Sequence, residues 1–97
     1  MKKTIFISGN FNILHPGHLR LLKFARELGN KLIVGVISDK LGGDLIHIPE
    51  KLRLEGISSN TWVTEALLIN EPLHRVIESL KPDIVVKGKE HEGNFNP

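Results

Sequence analysis

Ninety-seven residues, 40% hydrophobic and 25% charged, are the makings of one soluble domain with a single modest core. A net charge of +2 with neutral histidines suits small anionic ligands and is too slight to argue for nucleic acid. The lack of cysteine excludes disulfide scaffolds, thiolate zinc sites and cysteine nucleophiles.

The basic start Met1-Lys2-Lys3 leads into an apolar run of about five residues, short of the roughly 7–15 of a signal peptide and the about 20 of a membrane span. A cytoplasmic protein with no membrane partner is therefore expected. That run, Thr4–Ser8, is rich in β-branched and aromatic residues and reads as a strand buried on both faces. Turn formers follow in Gly9-Asn10-Phe11-Asn12, then Ile13-Leu14 and the tetrapeptide His15-Pro16-Gly17-His18. A helix is predicted over Leu19–Leu28, with Leu21, Phe24, Ala25 and Leu28 at i, i+3, i+4, i+7 as its core face. Gly29-Asn30 stops it, with Gly29 expected in the left-handed conformation.

Lys31–Ile37 is a second two-sided buried strand ending at Ser38-Asp39-Lys40, and strand, helix, strand at this spacing implies a parallel βαβ unit. Leu41–Ile48, with Gly42-Gly43, reads as a loop, and Pro49 starts a short, weakly patterned helix running to about Ile57. A third strand lies in the second half of Trp62–Ile69. Asn70-Glu71-Pro72 then opens a helix bearing Leu73, Val76, Ile77 and Leu80 on one face, closed by Lys81-Pro82. Asp83–Lys87 is a fourth buried strand, with Gly88 at its C-terminal end and a polar, irregular tail behind it. The fold class is α/β: a Rossmann-like open parallel sheet with helices on both faces, residues 1–97 forming one domain.

In such sheets ligands sit beyond the C-terminal strand ends. Gly9–His18, Ser38–Lys40 and Lys87–His91 all follow strand C-termini and are expected to converge there. A strand that runs through a glycine-containing turn into a helix presents polyphosphate to the helix N-terminus, so His15–His18 is read as the seat of a nucleoside triphosphate. That edge offers His15, His18, Lys40, Lys87 and Lys89. It has no nucleophile elbow, no paired catalytic carboxylates and no Walker loop, an inventory suited to stabilising charge on phosphoryl oxygens. Competing readings are weaker. A zinc pair at His15 and His18 lacks a third ligand. Asp39 sits where a dinucleotide fold reads a ribose, but the G-x-G-x-x-G is missing. His47, His74 and His91 read as surface residues, and Trp62 as packing.

Gly9-Asn10-Phe11-Asn12, His15-Pro16-Gly17-His18 and the strand running to Ser38-Asp39 together resemble the cytidylyltransferase-like nucleotidyltransferases with the H-x-G-H signature. Pro82–Gly88 is similar to the adenylyltransferase domain of ADP-heptose synthases, and Lys89–Phe95 to a loop of glycerol-3-phosphate cytidylyltransferases. The resemblance implies transfer of a nucleoside monophosphate from ATP or CTP to a sugar-phosphate or polyol-phosphate acceptor, with release of pyrophosphate. His15 and His18 would bind the triphosphate and stabilise the transition state at the α-phosphorus. Gly9, Asn10 and Phe11 would shape the triphosphate cradle, Gly17 would admit close backbone approach, and Lys40, Lys87 and Gly88 would line the phosphate site. Mg²⁺ would enter with the nucleotide, with no dedicated metal cage.

Asn12 stands where the family usually has aspartate. The family's arginine after the second strand corresponds to Arg53, or its role falls to Lys51. The family's Ser/Thr-rich C-terminal motif is absent, so the chain is expected to lack the C-terminal part of the domain. A homodimer, or fusion to a further domain such as a sugar kinase, is compatible with this reading. Two alternatives stand beside it: a non-catalytic nucleotide-binding or regulatory module, and the front fragment of a larger bifunctional enzyme.

Overall fold

The computed structural model describes residues 3–9, 11, 16–43 and 48–87, with the backbone alone for residues 16–18 and 87. Among the described residues four strands, β1 (Thr4–Gly9), β2 (Lys31–Ile37), β3 (Glu65–Ile69) and β4 (Ile84–Lys87), form one sheet in the order β3-β2-β1-β4. Every pairing is parallel. The helices described between them are α1 (Pro16–Glu27), α2 (Asp39–Gly42), α3 (Glu50–Ser58) and α4 (Leu73–Leu80). This is the doubly wound α/β arrangement that the alternation of apolar runs and amphipathic stretches predicts.

A parallel sheet is stable in water only when both faces are covered, and alternation along β1 and β2 assigns each side chain to a face. Ile5, Ile7, Leu32, Val34 and Val36 pack with Leu22 and Ala25 of α1 and Ile57 of α3. Phe6, Ile33 and Ile69 face the other way, against Val76 and the half-buried Leu73, Ile77 and Leu80 of α4. Trp62 packs, half-buried, at the border of the first core.

Three expectations need correction. The buried face of α1 is centred on Leu22 and Ala25, both fully buried, while Phe24 is 54% and Leu28 36% exposed. Two apolar stripes overlap on this helix, and its seat over β1 and β2 selects the one through Leu22. β4 is not a two-sided buried strand: Ile84 and Val86 border the first core, but Val85 is 41% exposed, because α4 covers the opposite face over β1, β2 and β3. Nor is Gly29 left-handed, since the positive-φ residues among those described are Phe11, Gly43 and Lys81. Glycine is needed at position 29 for room, because a Cβ there would lie 2.6 Å from the Lys3 carbonyl oxygen and 3.0 Å from Ile5 Cδ1.

The region after β2 also differs from the expected loop. Ser38 caps the single-turn α2, its hydroxyl oxygen accepting from the Leu41 N–H at 3.2 Å. Lys81, at φ 49°, takes the left-handed position that closes α4, its N–H donating to Ile77 O at 2.8 Å. The N-terminal ends of β1 and β4 are tied by Asp83: its carboxylate accepts the Thr4 N–H at 2.7 Å and its own N–H donates to Thr4 O at 2.9 Å.

Two glycine replacements separate close packing from backbone freedom. Gly29→Ala forces a methyl against a main-chain carbonyl and is expected to lower unfolding stability by about 1–3 kcal/mol. Gly56→Ala places its methyl in open space inside α3 and is expected to raise stability by about 0.5–1 kcal/mol. Urea titration of the two variants against the parent checks both signs.

Candidate functional site

The sheet order sets where a site can form. The chain leaves β1 for β2 on one side, while β4 lies against the other edge of β1, so the strand order switches between β1 and β4. Register brings the strand ends level: Ser8 pairs with Lys87, Gly9 with Val36, and Ile37 with Ile69. Gly9, Ser38, Asn70 and Lys87 thus end or follow their strands along one edge.

Gly9 is the last residue of β1. Two residues on, Phe11 has φ 52° and is only 4% exposed, its side chain packed in the first core. A non-glycine residue at positive φ carries backbone strain that persists only when its surroundings impose it. Here the core grips the ring and holds the residue at that backbone angle. α1 then starts at Pro16, with Gly17 and His18 in its first turn. Proline suits the first helical position, and the first-turn N–H groups have no partner within a helix. The helix thus begins three residues before the predicted Leu19, with most of the histidine tetrapeptide inside it. Lys40 lies, exposed, on α2, and Lys87 ends β4. Asn10, His15 and Gly88 lie outside the described residues, as do Asn12, His47, Lys89 and His91. His74 is exposed on α4.

The residue whose local role the sequence reading leaves open is Arg53. It lies on the buried side of α3 one turn from Ile57, with its side chain 0% exposed. Its Nε donates to Ile48 O at 2.7 Å, Nη1 to Ile37 O at 2.6 Å, and Nη2 to Asp39 Oδ1 at 2.7 Å. The Asp39 N–H in turn donates to Glu50 Oε1 at 2.9 Å. Lys51, the alternative bearer of the family arginine's role, is exposed. The hydrogen bond from Arg53, and after it the Glu50 backbone N–H, hold the Asp39 carboxyl below the usual carboxylate range. The carboxylate that a dinucleotide fold would turn to a ribose is here engaged by Arg53. The Ser38 hydroxyl donates to Asn70 Oδ1 at 3.0 Å and the Ser38 N–H to Ile69 O at 3.0 Å, which ties the same turn to β3. The short-range signal for α2 was present in serine followed by an acidic first-turn residue.

Residues 6–96 match the family model described as cytidylyltransferase-like. The chain belongs to this family of nucleotidyltransferases. Among its relatives, the bifunctional protein HldE of Marinomonas sp. (strain MWYL1) is 38% identical over 98 residues, covering 93% of this chain and 20% of HldE. The FAD synthase of Archaeoglobus fulgidus is 36% identical over 95 residues, covering 92% of this chain and 66% of the synthase. The crystal structure of a lipopolysaccharide core biosynthesis protein from Thermoplasma volcanium GSS1 superposes with a TM-score of 0.80 at 31% identity, over 88% of this chain and 73% of that one. The chain thus spans about a fifth of the length of the HldE proteins it matches. No helix among the described residues is long and apolar enough to cross a membrane.

The Asp39 contact has a pH signature. Because the folded-state pKa is depressed, the stabilisation is fully present above the unfolded-state value and is lost as the pH falls through the folded-state one. Asp39→Asn is expected to flatten the acid limb of the stability profile, on the acid side of the ordinary carboxylate range, measured by denaturant unfolding at a series of pH values. An unchanged acid limb would show that Arg53 does not hold this carboxylate.

Proposed function

We propose that the chain carries the triphosphate side of a nucleotidyl-transfer site. A nucleoside triphosphate arrives with Mg²⁺ on its phosphate oxygens, and its nucleoside monophosphate passes to a sugar-phosphate or polyol-phosphate acceptor. An oxygen of the acceptor phosphate bonds to the α-phosphorus, the bond from that phosphorus to the bridging oxygen breaks, and pyrophosphate leaves with the electron pair. The acceptor oxygen is already anionic, so the step calls for no general base. What it calls for is charge stabilisation on phosphoryl oxygens by pre-set donors.

The observation that carries this reading is the start of α1 at the switch point: Pro16, Gly17 and His18 form its first turn just after the end of β1, in a chain of the cytidylyltransferase-like family. The N–H groups of Gly17 and His18 and the positive end of the helix dipole favour an anion there. His15 and His18 donate hydrogen bonds to the triphosphate as charge moves onto the departing pyrophosphate. Gly9, Asn10 and Phe11 form the cradle through their backbone, a role that fits a Phe11 whose ring is committed to the core. Lys40, Lys87 and Gly88 complete the phosphate side.

ATP is favoured over CTP by the resemblance of Pro82–Gly88 to adenylyltransferases and by the FAD synthase relative, whose product contains an adenylyl group. A sugar-phosphate acceptor is favoured by the solved neighbour's place in lipopolysaccharide core synthesis.

In a complete protein that contains this chain, His18→Ala is expected to leave thermal unfolding unchanged and to lower pyrophosphate release from Mg·ATP and a sugar phosphate by about 10²–10³-fold. Near-normal turnover would overturn the assignment. Triphosphate binding without pyrophosphate release, both by this chain and by a longer protein that contains it, would support a non-catalytic nucleotide-binding module instead, whereas release by the longer form alone would support the front part of an enzyme.

A further inference from the structure

A buried guanidinium bonded through all three nitrogens is an expensive feature in a small core, and in Arg53 its bonds converge on one segment. Two of the acceptors, Ile37 O and Asp39 Oδ1, flank Ser38 at the end of β2, and the third, Ile48 O, lies where the chain returns to α3. Glu50 holds the Asp39 N–H from the same helix turn, while Ser38 is bonded to Ile69 O and Asn70 Oδ1. The turn beginning at Ser38 is therefore clamped between α3 and β3, and Lys40, its exposed cation, is adjacent to the clamped Asp39.

We propose that Arg53 is a positioning residue for the triphosphate: by fixing Ile37 and Asp39 it holds the single-turn α2 at the sheet edge, so that Lys40 meets phosphate from an ordered backbone. The inference rests on the reading of this edge as a triphosphate site. Its physical content is entropic, since a long flexible ammonium on a loose turn must be ordered at the moment of binding, whereas one on a clamped turn loses only its own rotamers. Arginine is specified because the three acceptors lie in different directions. A planar fork reaches all three at once, and a lysine at the same place supplies one nitrogen.

The test uses Arg53→Lys, which keeps the charge, with Lys40→Ala, the double variant and His18→Ala. Binding of Mg·ATP is measured by calorimetry, and amide exchange is followed residue by residue. Arg53→Lys is expected to weaken binding about tenfold, and the double variant to bind no worse than twofold below the weaker single variant, because both changes remove one effect. Exchange at the Leu41 and Gly42 amides should accelerate more than tenfold while Val34 and Val36 are unmoved, a local signature that general destabilisation does not produce. Should Arg53→Lys fail to fold, Asp39→Asn loosens the same link from its half-exposed end and is expected to give the same pattern. Parental binding and slow Leu41 and Gly42 exchange in the folded variant, or losses that multiply in the double variant, would overturn the positioning role alone. Binding that survives His18→Ala and Lys40→Ala unchanged would overturn the triphosphate reading, and the positioning role with it.

Discussion

Everything in this domain depends on β1 being paired along both edges and covered on both faces. Ile5, Phe6 and Ile7 are inaccessible to solvent, and each has a register partner on both β2 and β4. Such a strand tolerates little but apolar side chains, and it fixes the level of its neighbours because a one-residue slip would exchange the two faces. Its C-terminal end is also where the strand order reverses. The same constraint that builds the core therefore determines where the chain is free to turn towards a ligand.

The strands were legible because buried parallel strands are written as uninterrupted apolar runs. β2 runs from Lys31 to Ile37 as predicted, and β1 exceeds its predicted span only by Gly9. The helices were legible to the degree that one periodic face faces the core. α4 has such a face. α1 has two overlapping ones, and the choice between Phe24 and Leu22 belongs to the sheet beneath it rather than to local pattern. α3 looked weak because a core-facing position is occupied by Arg53, and no periodicity rule scores a guanidinium as interior. α2 is one turn long, too short for periodicity, and is specified by the Ser38 cap.

The candidate site divides along the same line. Residues at strand ends, Gly9 and Lys87, could be placed from the sequence because topology alone carries them to the edge. The clamp joining Asp39, Glu50 and Arg53 could not, since its members meet through a chain reversal between β2 and α3 that leaves no spacing signature. Polar contacts of this sort are set by tertiary geometry, and only the charge types involved are visible beforehand.

Phe11 draws core and site together in another respect. Its ring belongs to the first core while its backbone takes φ 52° two residues after the end of β1. Phe11 cannot relax to an ordinary backbone angle without disturbing the packing of its ring, and the ring cannot leave its seat without releasing that angle. A ligand that engages the backbone there draws on the same free energy that keeps the domain folded, so ligand occupancy and resistance to unfolding rise together by mass action.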